Sequence, residues 1–180
     1  MRILSEETVG LVIDYQERLL PHMYEKERLI ENSAILIEGL KALEIPIIVT
    51  EQYRKGLGST VPEVRNILPL INPLEKTSFS CCDDGGINKA IVGNGLKFVV
   101  MCGIESHVCV LQTAIDLIEK NFVPVVVADC ISSRKEHDKQ IAVERMRQEG
   151  AIISSYESIL FELCRIAGTA QFRTISKLVK

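Results

Sequence analysis

The sequence predicts an α/β fold in which a mainly parallel sheet of about six strands is covered by helices on both faces. Three observations predict it. Short runs of apolar, β-branched residues show no polar alternation, the pattern of strands buried on both sides. Longer segments between them place apolar residues at helical spacing among charges. Proline and glycine mark many of the joins, and parallel strands so alternated need helical crossovers, which are right-handed. The 180 residues suit one domain spanning 1–180, with no internal repeat, low-complexity segment or linker to divide it.

The elements follow in order. Thr8-Val9-Gly10-Leu11-Val12-Ile13 reads as a buried strand with Asp14 at its C-terminal end. Over 25–43, Leu29, Ile30, Ser33, Leu36, Ile37 and Leu40 form one helical stripe. Pro46 stops that helix and introduces a second strand over 45–50. Glycines and prolines over 51–72 indicate a long, site-shaping loop with a short helix near 62–68. A short strand or its exit follows at 74–80, a brief helix at 87–92 and a strand at 96–102. A tight turn at Gly103 then leads into a helix over 107–120 with Cys109 in its first turn. Beyond it come a strand over 122–129, a charged helix over 135–148 closed by Gly150, and a last strand over 151–153. Helical pieces over 156–165 and 170–178 complete the chain.

Composition narrows the function classes. The chain is 47% hydrophobic and 25% charged with a net charge of −3 and no long basic run, which argues against nucleic acid as a partner. No apolar run approaches the roughly 18 residues that cross a bilayer, and the N-terminus turns acidic early, so a cytoplasmic protein without a membrane partner is expected. The six cysteines are accordingly read as reduced.

In parallel sheets ligands bind beyond the C-terminal strand ends, which singles out Asp14, Thr50, residues 103–109 and Asp129 as neighbours of one crevice. At a helix N-terminus, free N–H groups and the dipole favour a thiolate, which makes Cys109 a candidate nucleophile. An ammonium from Lys76 would lower the thiol pKa, and the Asp14 carboxylate would take its proton and deliver it to a leaving group. Bland readings stand beside each of these. A free cysteine is often an apolar filler, a lone lysine a solvated surface residue, and an aspartate at a strand end a cap or turn former.

The segments Leu11-Val12-Ile13-Asp14-Tyr15-Gln16, Glu75-Lys76-Thr77-Ser78-Phe79-Ser80 and Gly103-Ile104-Glu105-Ser106-His107-Val108-Cys109-Val110 together resemble the isochorismatase-like cysteine hydrolases. The likeness runs in order from Thr8 to the C-terminus. The stretches 50–58, 128–134 and 144–146 look most like the isochorismatase-domain-containing branch. The resemblance implies a three-layer α/β/α, Rossmann-like fold and a triad of Asp14, Lys76 and Cys109. It also implies a cis peptide between Ile104 and Glu105 that turns the Glu105 N–H toward that of Cys109, two donors that make an oxyanion hole. Nicotinamidases of the superfamily hold a metal through an Asp-x-His pair and a further histidine, where this chain offers Glu51, Gln52 and Tyr53. Its three histidines, His22, His107 and His137, are scattered, so no catalytic metal is expected. True isochorismatases lack the nucleophilic cysteine, so Cys109 points instead to a small amide or related acyl substrate.

Other features carry less. Gly93-Asn94-Gly95 precedes a strand and reads as a turn, not a dinucleotide fingerprint, and no cofactor is expected. Cys81-Cys82 lacks Cys-x-x-Cys spacing, and residues 83–86 read as a turn and helix entry. Gln52, Tyr53 and His107 are candidate substrate contacts, as is Glu105. Two rival functions remain: a scaffold that kept the fold and lost the chemistry, and a redox-active thiol protein in which Cys102 or Cys130 resolves an oxidised Cys109. A homo-oligomer is expected from the resemblance. The apolar residues Ile159, Leu160, Phe161, Leu163, Ile166 and Phe172 could form its interface, or could equally cover the sheet.

Overall fold

The computed structural model describes residues 1–92 and 95–180, so the turn read at Gly93 and Asn94 lies outside the described residues. The strands are β1 (Thr8–Ile13), β2 (Ile47–Gln52), β3 (Leu74–Lys76), β4 (Phe98–Ile104), β5 (Val123–Ser132) and β6 (Ile152–Ser154). They form one six-stranded sheet in the order β3-β2-β1-β4-β5-β6. Every pairing is parallel, and the order is that of a Rossmann-like sheet. The helices are α1 (Lys26–Ala42), α2 (Arg54–Leu57), α3 (Pro62–Arg65), α4 (Gly85–Val92), α5 (Leu111–Glu119), α6 (Glu136–Glu149), α7 (Tyr156–Cys164) and α8 (Ala170–Leu178).

Successive side chains of a strand face opposite ways, so the all-apolar strands feed two cores. Val12, Val100, Cys102 and Val125 meet Leu36 and Ile37 of α1, Leu160 of α7 and Ile175 of α8 on one face. Leu11, Ile13, Val99, Met101 and Val126 meet Ile87 of α4, Leu117 of α5 and Met146 of α6 on the other. Each such side chain contributes about 1.5–3 kcal/mol on burial, which is why these strands need no polar face. The predicted three-layer α/β/α architecture therefore follows from the runs that suggested it.

Element ends have local causes. Gly150 closes α6 in the left-handed conformation, with φ of 112°. Ser155 and Thr169 cap α7 and α8 through side-chain oxygens that accept from the N–H groups of Ser158 and Phe172. Asp84 Oδ1 accepts from Gly86 and Ile87, so the acidic-glycine run is indeed a helix entry.

Three expectations need correction. Gly103 is not a turn but part of β4, which continues to Ile104 opposite Ser132. A glycine is needed there for another reason: its φ is +136°, and a Cβ would collide with the carbonyl oxygen of Ile13 on β1. The following helix opens not at residue 107 as an α-helix but as one π-helical turn, Ser106–Val110, before α5. β2 runs on to Gln52 instead of ending at Thr50, because its polar end is buried by mutual hydrogen bonds. The apolar residues of the C-terminal helices largely pack within the chain. Ile159, Leu160 and Leu163 join the core, Phe161 and Phe172 face each other at 6.2 Å, and Ile166 stays exposed.

Candidate active site

The sheet order reverses between β1 and β4, and open α/β sheets form their ligand crevice at the C-terminal ends of such a pair. Asp14 leaves β1 with φ of 55°, a left-handed conformation that a short aspartate tolerates, and its N–H donates to the Thr50 carbonyl at 3.2 Å. Thr50 and Gln52 share one face of β2 by the strand period, and Gln52 lies opposite Lys76 in the β2–β3 register. Cys109 comes from the π turn that follows β4. Four strand ends thus deliver Asp14, Thr50, Lys76 and Cys109 to one place.

Their side chains interlock. Lys76 Nζ donates to Asp14 Oδ2 and to Gln52 Oε1, each at 2.7 Å, and reaches the carbonyls of Phe79 at 3.1 Å and Ser78 at 3.3 Å. The Cys109 sulfur is 3.6 Å from the same nitrogen. Thr50 Oγ1 donates to the other aspartate oxygen at 2.7 Å. The Lys76 and Asp14 side chains are both 0% exposed. Burial works against the ammonium, but Asp14 and the Cys109 and Cys81 sulfurs outweigh it, so the Lys76 pKa is raised and the group stays charged.

The thiol behaves differently from expectation. Burial first, and the Asp14 carboxylate second, push the Cys109 pKa above its ordinary value, and the opposing pull of Lys76 does not compensate. The expected preformed thiolate is therefore corrected to a resting thiol beside a carboxylate and an ammonium. Moving its proton to Asp14 would leave the net charge of the three groups unchanged.

The Ile104–Glu105 peptide is cis. The Glu105 carbonyl accepts from Val108 and Val110, and the Ser106 carbonyl accepts from Leu111, so Cys109 and its N–H sit within the turn that opens directly after the cis peptide. Gln52 is bound on every side: Oε1 by Lys76, Nε2 by the Thr77 carbonyl at 2.8 Å, and its N–H by Gln16 Oε1 at 2.7 Å. Tyr53 is 51% exposed and His107 is half-buried, with Nδ1 2.9 Å from Ser133 Oγ. Glu51 is buried, with one carboxylate oxygen taking two bonds from Thr60 and the other paired with Arg54. Burial opposes its charge, yet these donors hold its pKa below the usual value.

Some expectations separate from the site. Asp129 accepts from the Tyr156 N–H and lines another cavity, of about 290 Å³, with Arg28 and Lys139. Cys102 and Cys130 belong to the core on the opposite face of the sheet from Cys109, which removes them as resolving partners. Cys81 is the cysteine beside the site: its N–H donates to Thr113 Oγ1, one turn along from Cys109, and burial and Asp14 push its thiol up to about 12. Sequence reasoning assigned no role to Gln16, whose Nε2 bonds the carbonyls of Gln52 and Gly58, or to the pairing of Arg134 with Glu105. Gln16 closes the quoted Leu11–Gln16 segment, and Arg134 ends the 128–134 stretch, so both lay within the signal. Among the described residues, no group of three or more His, Cys, Asp or Glu side chains is clustered to hold a metal ion, and no helix is long and apolar enough to cross a membrane.

Comparison with known proteins bears on this geometry. A family model described as the isochorismatase domain matches residues 8–158. Isochorismatase domain-containing protein 2A of Mus musculus is 37% identical over 99% of this chain and 85% of its own length. Among solved structures, the MAR1 ribonuclease of Caenorhabditis elegans superposes with a TM-score of 0.93 at 36% identity, covering 99% of this chain and 92% of that one. The YcaC gene product of Escherichia coli, described as an octameric hydrolase of unknown specificity, gives a TM-score of 0.92 at 26% identity over 99% and 90% of the two chains.

Proposed function

The chain belongs to the isochorismatase family, and on that premise we propose that it is a cysteine hydrolase of a small amide or related acyl substrate. One observation carries the reading: a single buried ammonium, Lys76, touches both the Asp14 carboxylate and the Cys109 sulfur. In the proposed reaction Asp14 takes the Cys109 proton while Lys76 stabilises the nascent thiolate, which attacks the substrate carbonyl carbon. The N–H groups of Glu105 and Cys109 receive the oxyanion. The C–N bond breaks as Asp14 returns the proton to the departing amine, leaving a thioester. Water, activated by the same carboxylate, then attacks the thioester and releases the acid and the thiol.

The remaining residues support this assignment. Thr50 fixes one Asp14 oxygen, so the other faces Lys76, and Gln16 holds Gln52 where it orients the ammonium. Phosphodiester cleavage, suggested by the name of the Caenorhabditis elegans protein, has less support: Lys76 is already engaged by the site's own acceptors, and the net charge is −3. The octameric Escherichia coli protein favours a homo-oligomer here as well. The family match over 8–158, with one core drawing on residues from Ile3 to Ile175 and the other on residues from Val9 to Ala151, favours one hydrolase domain.

The test incubates wild type and Cys109→Ala with a panel of small amides and follows ammonia release and acyl-enzyme mass. Wild type is expected to release ammonia and form an adduct at Cys109. Equal release by the alanine variant would overturn the nucleophile assignment.

A further inference from the structure

Asp14 and Lys76 approach Cys109 from the β1–β3 side, and a second charged pair lies at the C-terminal ends of β4 and β5. Glu105 follows β4, Arg134 follows β5, and Arg134 Nη2 donates to Glu105 Oε1 at 3.0 Å. The two partners differ in exposure: the Arg134 side chain is 63% exposed, that of Glu105 only 9%. Glu105 Oε2 is buried, and among the described residues nothing donates to it. The hydroxyl of the next residue, Ser106, is likewise buried without a partner. A buried carboxylate oxygen without a donor bears its full desolvation cost, so an N–H group brought to it gains more than at an exposed acceptor.

The proposed chemistry fixes which half of a substrate meets this oxygen. Asp14 has to face the departing nitrogen to protonate it, which turns the acyl half the other way, toward β5. We propose that Glu105 Oε2 is a specificity determinant that selects substrates whose acyl half carries an N–H donor, a primary ammonium above all. The assignment rests on the amide-hydrolase reading for that orientation. Arg134 holds one carboxylate oxygen and orients the other, so the pair is a polarised acceptor and not a neutralised bridge.

Two thiol reagents of matched size test it without knowledge of the substrate: 2-aminoethyl methanethiosulfonate, a cation, and its neutral propyl analogue. Each transfers its alkylthio group to the Cys109 thiolate and releases methanesulfinate. Modification of the Cys109 peptide is followed by mass spectrometry, and each rate is divided by that with a small free thiol. Wild type is expected to prefer the cation about tenfold, the equivalent of one charge-assisted hydrogen bond. Glu105→Gln brings the ratio near one. Arg134→Gln raises it above wild type, because the carboxylate loses its competing cation. A ratio near one in wild type, no change in Glu105→Gln, or a fall in Arg134→Gln overturns the assignment. Failure of both reagents to reach Cys109 overturns the hydrolase reading itself.

Discussion

Replacing Lys76 by methionine removes the ammonium but keeps an unbranched apolar chain of similar length. Five contacts go with it: the bonds to Asp14 and Gln52 at 2.7 Å, those to the carbonyls of Phe79 and Ser78 at 3.1 and 3.3 Å, and the approach to the Cys109 sulfur at 3.6 Å. Thr50 still serves one aspartate oxygen, but the other is left charged and unpaired at a side chain that is 0% exposed. Breaking a buried pair from one side costs about 3–5 kcal/mol, because the surviving charge is stranded in low dielectric. At about 2–4 °C per kcal/mol for a chain of this size, the melting temperature should fall by about 6–20 °C. Removing both charges removes the stranded ion, so Asp14→Asn/Lys76→Met should regain at least half of the loss. Urea denaturation of wild type, both single variants and the double variant measures this without any substrate. A Lys76→Met variant within about 1 kcal/mol of wild type, the range of an exposed pair, would refute the buried-pair argument. So would a double variant less stable than either single one.

Other outcomes follow from the same structure. Alkylation of Cys109 by iodoacetamide should accelerate steadily as pH rises through the ordinary thiol value of about 8.5, because the raised pKa keeps the thiol protonated; a plateau at neutral pH would contradict it. The thiols of Cys81, Cys82, Cys102, Cys109 and Cys130 are all raised, chiefly by burial. Folded protein therefore holds these protons where unfolded chain has lost them. Their contribution to stability is intact below about pH 8.5 and declines as pH climbs above it, so the urea midpoint should drop between about pH 8 and 10, and a constant midpoint would count against the burial of these groups. Gly103→Ala should destabilise by about 1–3 kcal/mol or more, since the added Cβ meets the Ile13 carbonyl; melting curves indistinguishable from wild type would show that the strands separate freely there.

The sheet was legible because its strands are buried on both faces, so burial alone wrote apolar runs at β1, β4 and the first part of β5. Strand β5 itself passes through Asp129 and runs on to Ser132, beyond the strand read over 122–129. The end of β2 was not legible, because Glu51 and Gln52 are polar residues buried by bonding Thr60 and Lys76. Nothing local distinguishes them from loop residues. Gly103 misled for a related reason: it reads as a turn, whereas the constraint on it is a close approach to another strand. Asp14, Lys76 and Cys109 were each ambiguous alone. Strand-end placement made them neighbours, the chemistry of a thiol nucleophile suggested their roles, and the family resemblance joined them as a triad. The sign of the Cys109 shift was out of reach, since it depends on whether burial and Asp14 outweigh Lys76.

Lys76 is the last residue of β3, a strand of three residues at the margin of the sheet, bonded only to β2. Such a margin exposes unpaired backbone groups and invites pairing with another chain. Here the ammonium bonds Gln52 at the end of β2 and Asp14 just beyond β1, so the ion pair rivets the outermost strand to the end of the third one in. The group that tunes the thiol is thus also a fastening against misassembly. Loss of this one charge would loosen β3 from the edge of β2, so the Lys76→Met variant should also be watched for aggregation.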